Sequence, residues 1–216
     1  MKKEFSAMPS SMANMAMYGF SWMDFVNPIP TPLFVITSYK SNGKPNACLQ
    51  SWSCFSGNTK GYYAFMSNID KDGHFYQTVK EKGEVVINFP TADIYDLCMA
   101  TIKNNDFDTD EITASGLTSE TATTVNAPRI KECFLALEGR FLWEREITEG
   151  RCDTILCFQI TNICIDEAYL AENGKERSGE NGFIYYMPNP VNPNSFKGQR
   201  HDYIGILQKH IDLGEY

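Results

Sequence analysis

Short runs of β-branched and aromatic residues separated by turn signals dominate the hydrophobic pattern in the first half of the chain. The run from Leu33 to Tyr39 is typical of a strand, and Asn42-Gly43 is a strong signal for a tight hairpin turn. A second strand is predicted from Pro45 to about Cys54. After a turn at Gly57-Asn58, a third strand is predicted over GYYAFMS, residues 61–67. This pattern favours antiparallel sheet.

A helical pattern follows the third strand. Apolar residues recur at three- and four-residue intervals between Gly73 and Lys82, and Gly83 is a typical helix C-cap. The next stretch, EVVINFP at residues 84–90, is typical of a buried strand. A second helix is predicted from Asp93 through Ile102. Its apolar side is formed by Ile94, Leu97, Cys98 and Ile102.

The second half of the chain begins with a long polar segment, residues 103–128, in which the acidic run from Asp106 to Glu111 is predicted to be a solvated face. The strand pattern returns in residues 133–147 and 152–170, which can pair as a hairpin around a turn at residues 148–150. Together, six or seven strands with two short inserted helices and no alternating βαβ order predict a mainly β protein, an antiparallel barrel.

Length and composition indicate one main domain with two appendages. The chain has 216 residues, of which 43% are hydrophobic, which suits a single domain with a proper core. Residues 1–24 form a methionine-rich N-terminal arm, residues 25–172 the barrel domain, and residues 173–216 a C-terminal extension that packs on the barrel or on a partner subunit.

Charge and cysteine content narrow the function classes. The formal net charge of -8 argues against binding to nucleic acid or to anionic membranes. The seven cysteines are odd in number, form no CxxC pair and follow no secretory leader, so we expect reduced thiols in a cytoplasmic protein. No P-loop, HExxH pair or GxSxG elbow is present, and the three histidines are scattered, so no metal site is predicted.

Polar donors collect where three predicted strands end. The first group closes the second strand, the second lies between the third strand and the first helix, and the third closes the next strand. Such donors suit the edge of a flat heterocycle, while a lysine or histidine neutralises a phosphate. The same residues also have a structural interpretation, as turn hydroxyls, core aromatics and surface charges. The three groups are Gln50, Ser51, Trp52 and Ser53; Ser67, Asn68, Lys71 and His74; and Asn88, Phe89 and Pro90.

The order of several motifs resembles the flavin reductase-like, FMN-binding split-barrel family, and within it the flavoredoxin-like branch. The matching segments run in family order across residues 27–170, about two thirds of the chain. Each motif alone is weak, but the ordered series is specific. They read NPIPTPLFVITSYKSNGKPNACLQSWSCFS, GEVVINFP, DFDTDEITASGLT, APRIKECFLALEGRF and ICIDEAYL.

The resemblance implies a split β-barrel that forms a homodimer with one FMN held noncovalently at each of two intersubunit sites. The segment that starts at Asn46 would place Cys48, Leu49, Gln50, Ser51, Trp52 and Ser53 along the isoalloxazine edge. Ser67, Asn68, Lys71 and His74 would lie at the ribityl chain and phosphate, and Asn88, Phe89 and Pro90 would line the same pocket. The chain departs from the family at Phe75, where many relatives have a phosphate-binding threonine, and its residues 72–74 replace a more basic run.

The resemblance further implies that NADH or NADPH reduces FMN, which then passes electrons to a flavin, a metal centre or a partner protein. In this chemistry the flavin is the redox group, and the protein supplies no catalytic acid or base. Two alternatives stay open at this point. The chain could be an FMN-binding electron carrier without a nicotinamide site, or a barrel whose pocket takes another ligand, such as haem or a pyridoxal-type phosphate.

Overall fold

The fold is described from a computed structural model of the chain, which covers residues 1, 2, 4, 6, 29–150, 152–170, 175–188, 202–209, 211 and 214. Contacts divide it into two units. The barrel unit comprises Pro32–Ile184 with Ile206–Tyr216, and the other comprises Met1–Thr31 with Tyr185–Gly205. The predicted arm and extension fall largely or partly outside the described residues, so the three-part division stays a prediction. Each described helix is too short to cross a lipid bilayer.

Twelve strands are present in the described residues, and seven of them form one antiparallel sheet in the order β3-β2-β6-β9-β10-β5-β4. Strands β7 and β8 form a separate pair, and β1, β11 and β12 a three-stranded sheet. The strands are β1 (Thr31–Pro32), β2 (Phe34–Tyr39), β3 (Pro45–Gln50), β4 (Ser53–Asn58), β5 (Gly61–Asp70), β6 (Glu84–Phe89), β7 (Ser119–Thr121), β8 (Pro128–Ile130), β9 (Leu135–Glu146), β10 (Asp153–Ile165), β11 (Ile184–Pro188) and β12 (Asp202–Ile206).

Three short α-helices and three 3-10 turns lie between these strands in the described residues. The helices are α1 (His74–Lys82), α2 (Tyr95–Lys103) and α3 (Glu111–Ala114), and the 3-10 turns cover Ala92–Ile94, Glu167–Tyr169 and Gly179–Asn181. Helix α1 begins after Gly73 and ends at Gly83, whose φ of 67° places it in the left-handed region. The predicted mainly β class is therefore confirmed, as are the first helix and the hairpin at residues 148–150 that joins β9 to β10.

The two edge strands of the seven-stranded sheet are consecutive in the chain. Strand β3 ends at Gln50 and β4 starts at Ser53, yet β3 pairs with β2 at one edge and β4 with β5 at the other. The prediction of one strand from Pro45 to Cys54 is thus wrong beyond Gln50. Ser51 and Trp52 carry the chain across an unpaired seam between the two edges, which is the architecture of a split barrel.

Two hydrophobic clusters pack on the two faces of this sheet. In β2, Phe34 and Ile36 belong to the larger cluster, whereas Val35 belongs to the second, as the two-residue period of a strand requires. The second cluster includes Cys98 of α2 and Ile112 of α3, so these helices cover the outer face of β2 and β3. Both faces of β2 are therefore buried, which explains its continuous apolar run.

The second helix departs from its predicted apolar face. Cys98 and Thr101 are the buried residues of α2, whereas Leu97 is 37% and Ile102 is 52% exposed. The helix rests on the sheet along a narrow strip that includes a threonine, whose hydroxyl donates to the carbonyl of Cys98.

A buried carboxylate organises part of the long polar segment. Glu138 of β9 is fully buried, and its two oxygens accept hydrogen bonds from the backbone N–H of Thr123 (2.9 Å) and of Thr124 (2.6 Å). The Thr124 hydroxyl donates a third bond, at 2.7 Å. A segment that looks irregular in sequence is in this way fixed against the barrel.

Candidate functional site

A cavity of about 140 Å³ lies in the barrel unit where β3 meets the N-terminus of α1. Its walls come from three parts of the chain, namely β3, the end of β5 with the start of α1, and the segment from α2 to α3. The lining residues are Asn46, Ala47, Cys48, Gln50, Ile69, Asp70, Gly73, His74, Phe75, Thr101, Ile102, Asn105 and Glu111.

Four of the residues predicted from sequence line this cavity: Asn46, Cys48, Gln50 and His74. Asn46 is only 2% exposed, and its Nδ2 has no hydrogen-bond partner among the described residues. The Nδ1 of His74 is likewise buried without one. Since buried polar groups are normally hydrogen-bonded, these two atoms mark places where a ligand can supply the missing partner.

The start of α1 adds backbone donors to the same cavity. Gly73, the N-cap, provides no side-chain cap, and the first turn contains no acidic residue. An uncapped helix N-terminus presents N–H groups and the positive end of the helix dipole, which favours an anion such as a phosphate.

The thiol of Cys48 contributes polarity to the cavity without charge. Burial raises the pKa of Cys48 to about 11, and the hydrogen bond that Gln50 Nε2 donates to its sulfur at 3.2 Å only partly offsets this effect. The nearby Glu111 carboxylate raises the pKa further. At neutral pH the group is therefore a thiol and not a thiolate.

Glu111 is a cavity residue that the sequence analysis missed, because the run from Asp106 to Glu111 was predicted to be solvated. Its carboxylate is 1% exposed and forms an ion pair of 2.7 Å with Lys40 Nζ, which is fully buried. Its other oxygen accepts the backbone N–H of Ala47 at 2.8 Å. Lys40 and Glu111 are distant in sequence, so no local signal reveals the pair.

The seam between β3 and β4 contains the predicted residues Ser51 and Ser53, and the backbone between them has an unusual conformation. Trp52 has φ of 33°, which is rare for a bulky residue and costs of order 1–3 kcal/mol. Ser67 holds this conformation, because its backbone N and its Oγ both donate to the carbonyl of Trp52, at 3.0 and 2.8 Å. Ser51 is half-buried beside it, and Ser53 Oγ is buried without a partner among the described residues.

The remaining predicted residues lie outside the cavity. Lys71 pairs with Glu146 at 2.5 Å, Asn68 is exposed with φ of 58°, and Leu49 packs against the second hydrophobic cluster. Phe89 and Pro90 are buried.

Asn88 is also away from the cavity and is fully buried. Its Nδ2 faces the carbonyls of Val35 and Val86 and the hydroxyl of Thr37, and its Oδ1 accepts the N–H of Ile130. The side chain therefore ties β2, β6 and β8 together.

Comparison with solved structures shows the same fold in several proteins. Nitrilotriacetate monooxygenase component B from Bacillus cereus has a TM-score of 0.74 at 18% identity, with 97% of this chain and 100% of that chain covered. Flavoredoxin of Desulfovibrio vulgaris (Miyazaki F) has a TM-score of 0.70 at 18% identity, over 98% and 96%. A candidate flavin reductase with a split barrel domain from Shewanella frigidimarina has a TM-score of 0.72 at 18% identity, over 94% and 96%.

A comparison of the sequence with protein families identifies the family of this chain. No curated protein matches the chain. The flavin reductase like domain matches residues 26–178, which is well over half of the chain. This segment includes β2 to β10, the three helices and the whole lining of the cavity. The chain therefore belongs to the flavin reductase-like family and has its split β-barrel fold.

Proposed function

We propose that this protein is an FMN-dependent reductase that takes electrons from NADH or NADPH and passes them to a flavin, a metal centre or a partner protein. The observation that carries the proposal is the cavity between β3 and α1, with its unpartnered Asn46 and His74 nitrogens. The family supports a flavin ligand and a nicotinamide donor in general terms. FMN is the specific choice because the uncapped start of α1 suits a terminal phosphate.

The residues present fit the two ends of FMN. Asn46 Nδ2 and the N–H groups at the start of α1 supply donors for phosphate oxygens, and neutral Cys48 adds no repelling charge. For the ring edge, the seam at Ser51–Ser53 offers backbone amides and the buried, unpartnered Ser53 hydroxyl. Phe75, which takes the place of a family threonine, leaves the helix amides and His74 to replace the lost hydroxyl.

The size of the cavity supports a homodimer. Pockets for drug-sized ligands usually have volumes of roughly 300–1,000 Å³, whereas this cavity has about 140 Å³. It can enclose the phosphate end of FMN but not the whole molecule. We infer that a second copy of the chain covers the ring at the seam, as the family resemblance implies.

Bound flavin would supply the redox chemistry, while this chain's residues bind and orient it. The helix N-terminus and Asn46 fix the phosphate, and the rigid Ser67–Trp52 contact sets the path of the backbone at the ring edge. All seven cysteines are unpaired, which supports a reducing compartment such as the cytoplasm.

The test is the absorption spectrum of the purified protein, with mass spectrometry of what it releases on denaturation. We expect flavin bands and the mass of FMN. A colourless protein that also fails to bind added FMN would refute the proposal, and a haem or pyridoxal-type spectrum would replace it with another ligand.

The formal net charge of -8 favours one alternative, an FMN-containing electron carrier that meets a basic partner. Anaerobic stopped-flow mixing with NADH or NADPH separates the two functions. A reductase bleaches its flavin band on the timescale of turnover, whereas the flavin of a carrier stays oxidised.

A further inference from the structure

Lys40 is a buried cation whose ammonium contacts the segment before α3 and the first residue of that helix. Its Nζ donates to the carbonyl of Asp106 at 2.6 Å and to that of Thr109 at 2.9 Å, and it pairs with Glu111 at 2.7 Å. Two carbonyl oxygens therefore accept hydrogen bonds from the ammonium, and the Glu111 carboxylate balances its charge as an ion pair. A charge this well satisfied fixes the geometry of the groups around it.

Glu111 connects this cation to the cavity. One carboxylate oxygen meets Lys40, the other accepts the N–H of Ala47, and the residue itself lines the cavity wall. Ala47 stands between Asn46 and Cys48, two further lining residues, so Glu111 pins β3 at the point where it faces the cavity. The pair also controls the charge of the cavity, because an ionised Glu111 without Lys40 would add a buried negative charge to a pocket already bordered by Asp70.

The turn of the β2–β3 hairpin also contacts the acidic segment, on its exposed side. Asn42 Nδ2 donates to the carbonyl of Phe107 at 3.0 Å, and Lys44 Nζ donates to that of Asp108. The Phe107 ring then stands edge-on to the ring of His74, with centroids 6.1 Å apart. The hairpin, the acidic segment and the first residue of α1 thus form one continuous set of contacts around the cavity.

We propose that Lys40 and Glu111 are a positioning pair for an anionic group in this cavity: Lys40 cancels the charge of Glu111 and holds residues 106–109 at the start of the β2–β3 hairpin, while Glu111 holds β3, so that the pocket can accept a phosphate. The phosphate identity rests on the proposed function. Lys40 does not line the cavity, so it acts through Glu111 and makes no direct contact with the ligand.

The experiment compares Lys40→Met with the wild type in two measurements. Titrations of the flavin-free protein with FMN and with riboflavin, which lacks the phosphate, are followed by flavin fluorescence. Burial raises the pKa of Glu111 even beside Lys40, so the titrations are run at pH 8, which favours the ionised carboxylate. With that charge uncompensated in Lys40→Met, we expect FMN to bind ~10-fold or more weakly while riboflavin changes much less. Hydrogen exchange of residues 45–49 and 104–110 is measured without any flavin, and we expect protection in both segments to fall together.

Two variants serve as controls. Lys60→Met removes the same charge from the exposed turn between β4 and β5, outside the cavity lining, so the FMN-to-riboflavin ratio should stay at the wild-type value. Lys40→Met combined with Glu111→Gln removes both charges and keeps an oxygen for the Ala47 N–H, so it should recover most of the FMN affinity.

The outcomes separate the two proposals. Wild-type protein that binds neither flavin refutes the proposed function. Unchanged exchange in Lys40→Met refutes the positioning pair, whatever the protein binds. Equal losses for FMN and riboflavin, or no recovery in the double variant, refute the cancellation of charge.

Discussion

Asn88 is the residue at which a structural role and a ligand-binding role predict the most different results. The resemblance places Asn88 in the flavin pocket, whereas within the described part of the chain its side chain makes four hydrogen bonds, all to other protein groups. Nδ2 lies 3.0 Å from the Val35 carbonyl, 3.1 Å from Thr37 Oγ1 and 3.2 Å from the Val86 carbonyl, and Oδ1 lies 2.9 Å from the Ile130 N–H. We therefore expect Asn88→Leu, which keeps the branched shape and removes both polar atoms, to act on stability.

The magnitude follows from the groups that lose a partner. Removing the Oδ1 acceptor leaves the buried Ile130 N–H unsatisfied, which costs about 1–3 kcal/mol, and loss of the Nδ2 donors adds about 1 kcal/mol more. The free energy of unfolding should fall by about 2–4 kcal/mol. For a chain of this size, that corresponds to a drop in Tm of roughly 5–15 °C.

Urea unfolding followed by circular dichroism gives the free energy, and a thermal scan gives Tm. Asn58→Leu is the matched control, because Asn58 is exposed and accepts a single hydrogen bond, from the Lys60 N–H at 2.8 Å. It should change stability by less than about 1 kcal/mol. If Asn88→Leu retained wild-type stability and lost flavin affinity, the structural assignment would be wrong.

Three further predictions concern the barrel and the seam. Burial opposes ionisation of Glu138, but the hydrogen bonds that it accepts from two backbone amides and a hydroxyl outweigh this and lower its pKa. Its stabilising effect is therefore complete above pH ~4.5 and is lost as the pH falls through the lowered pKa. When the free energy of unfolding is measured from pH 7 to 3, Glu138→Gln should show a smaller loss of stability at acid pH than the wild type. Ser67→Ala removes one of two donors to the Trp52 carbonyl, so the free energy of unfolding in urea should fall by about 1 kcal/mol and tryptophan emission should shift. Unchanged emission and stability would show that Ser67 does not hold the Trp52 backbone. Burial raises the pKa of Cys48 to about 11, so iodoacetamide at pH 8 should label the exposed Cys54 well before Cys48 in a time course by mass spectrometry, and equal rates would show that Cys48 is not shielded.

Local signals predicted the parts of the fold that depend on near neighbours. Asn42-Gly43 forms the predicted hairpin, with Gly43 at φ of 80°, and Gly83 ends α1 as predicted. The apolar run of residues 84–90 forms a buried strand because β2 and β9 flank it on both sides. At the hairpin and the helix end, the residues that determine the structure lie within a few positions of one another, and for β6 the continuous apolar run is itself the local signal.

Contacts between distant residues account for what the sequence analysis missed. The break at Trp52 has neither glycine nor proline to mark it, since the donor that holds its backbone is Ser67, in another strand. Lys40 and Glu111 look like ordinary surface charges until β2 and α3 bring them together in the core. The cavity itself joins three separate parts of the chain, so sequence reasoning predicted only four of its residues, three in β3 and one at the start of α1.

The short link at Ser51–Trp52 limits how far the barrel can open. Three trans peptide steps allow at most about 11 Å between the α-carbons of Gln50 and Ser53, so the tethered edges can tilt apart but cannot separate at that end. A proteolytic nick or a flexible insertion at this link would let the two unpaired edges move apart. Because exposed edges are templates for pairing with other chains, we expect a nicked protein to aggregate more readily than the intact one.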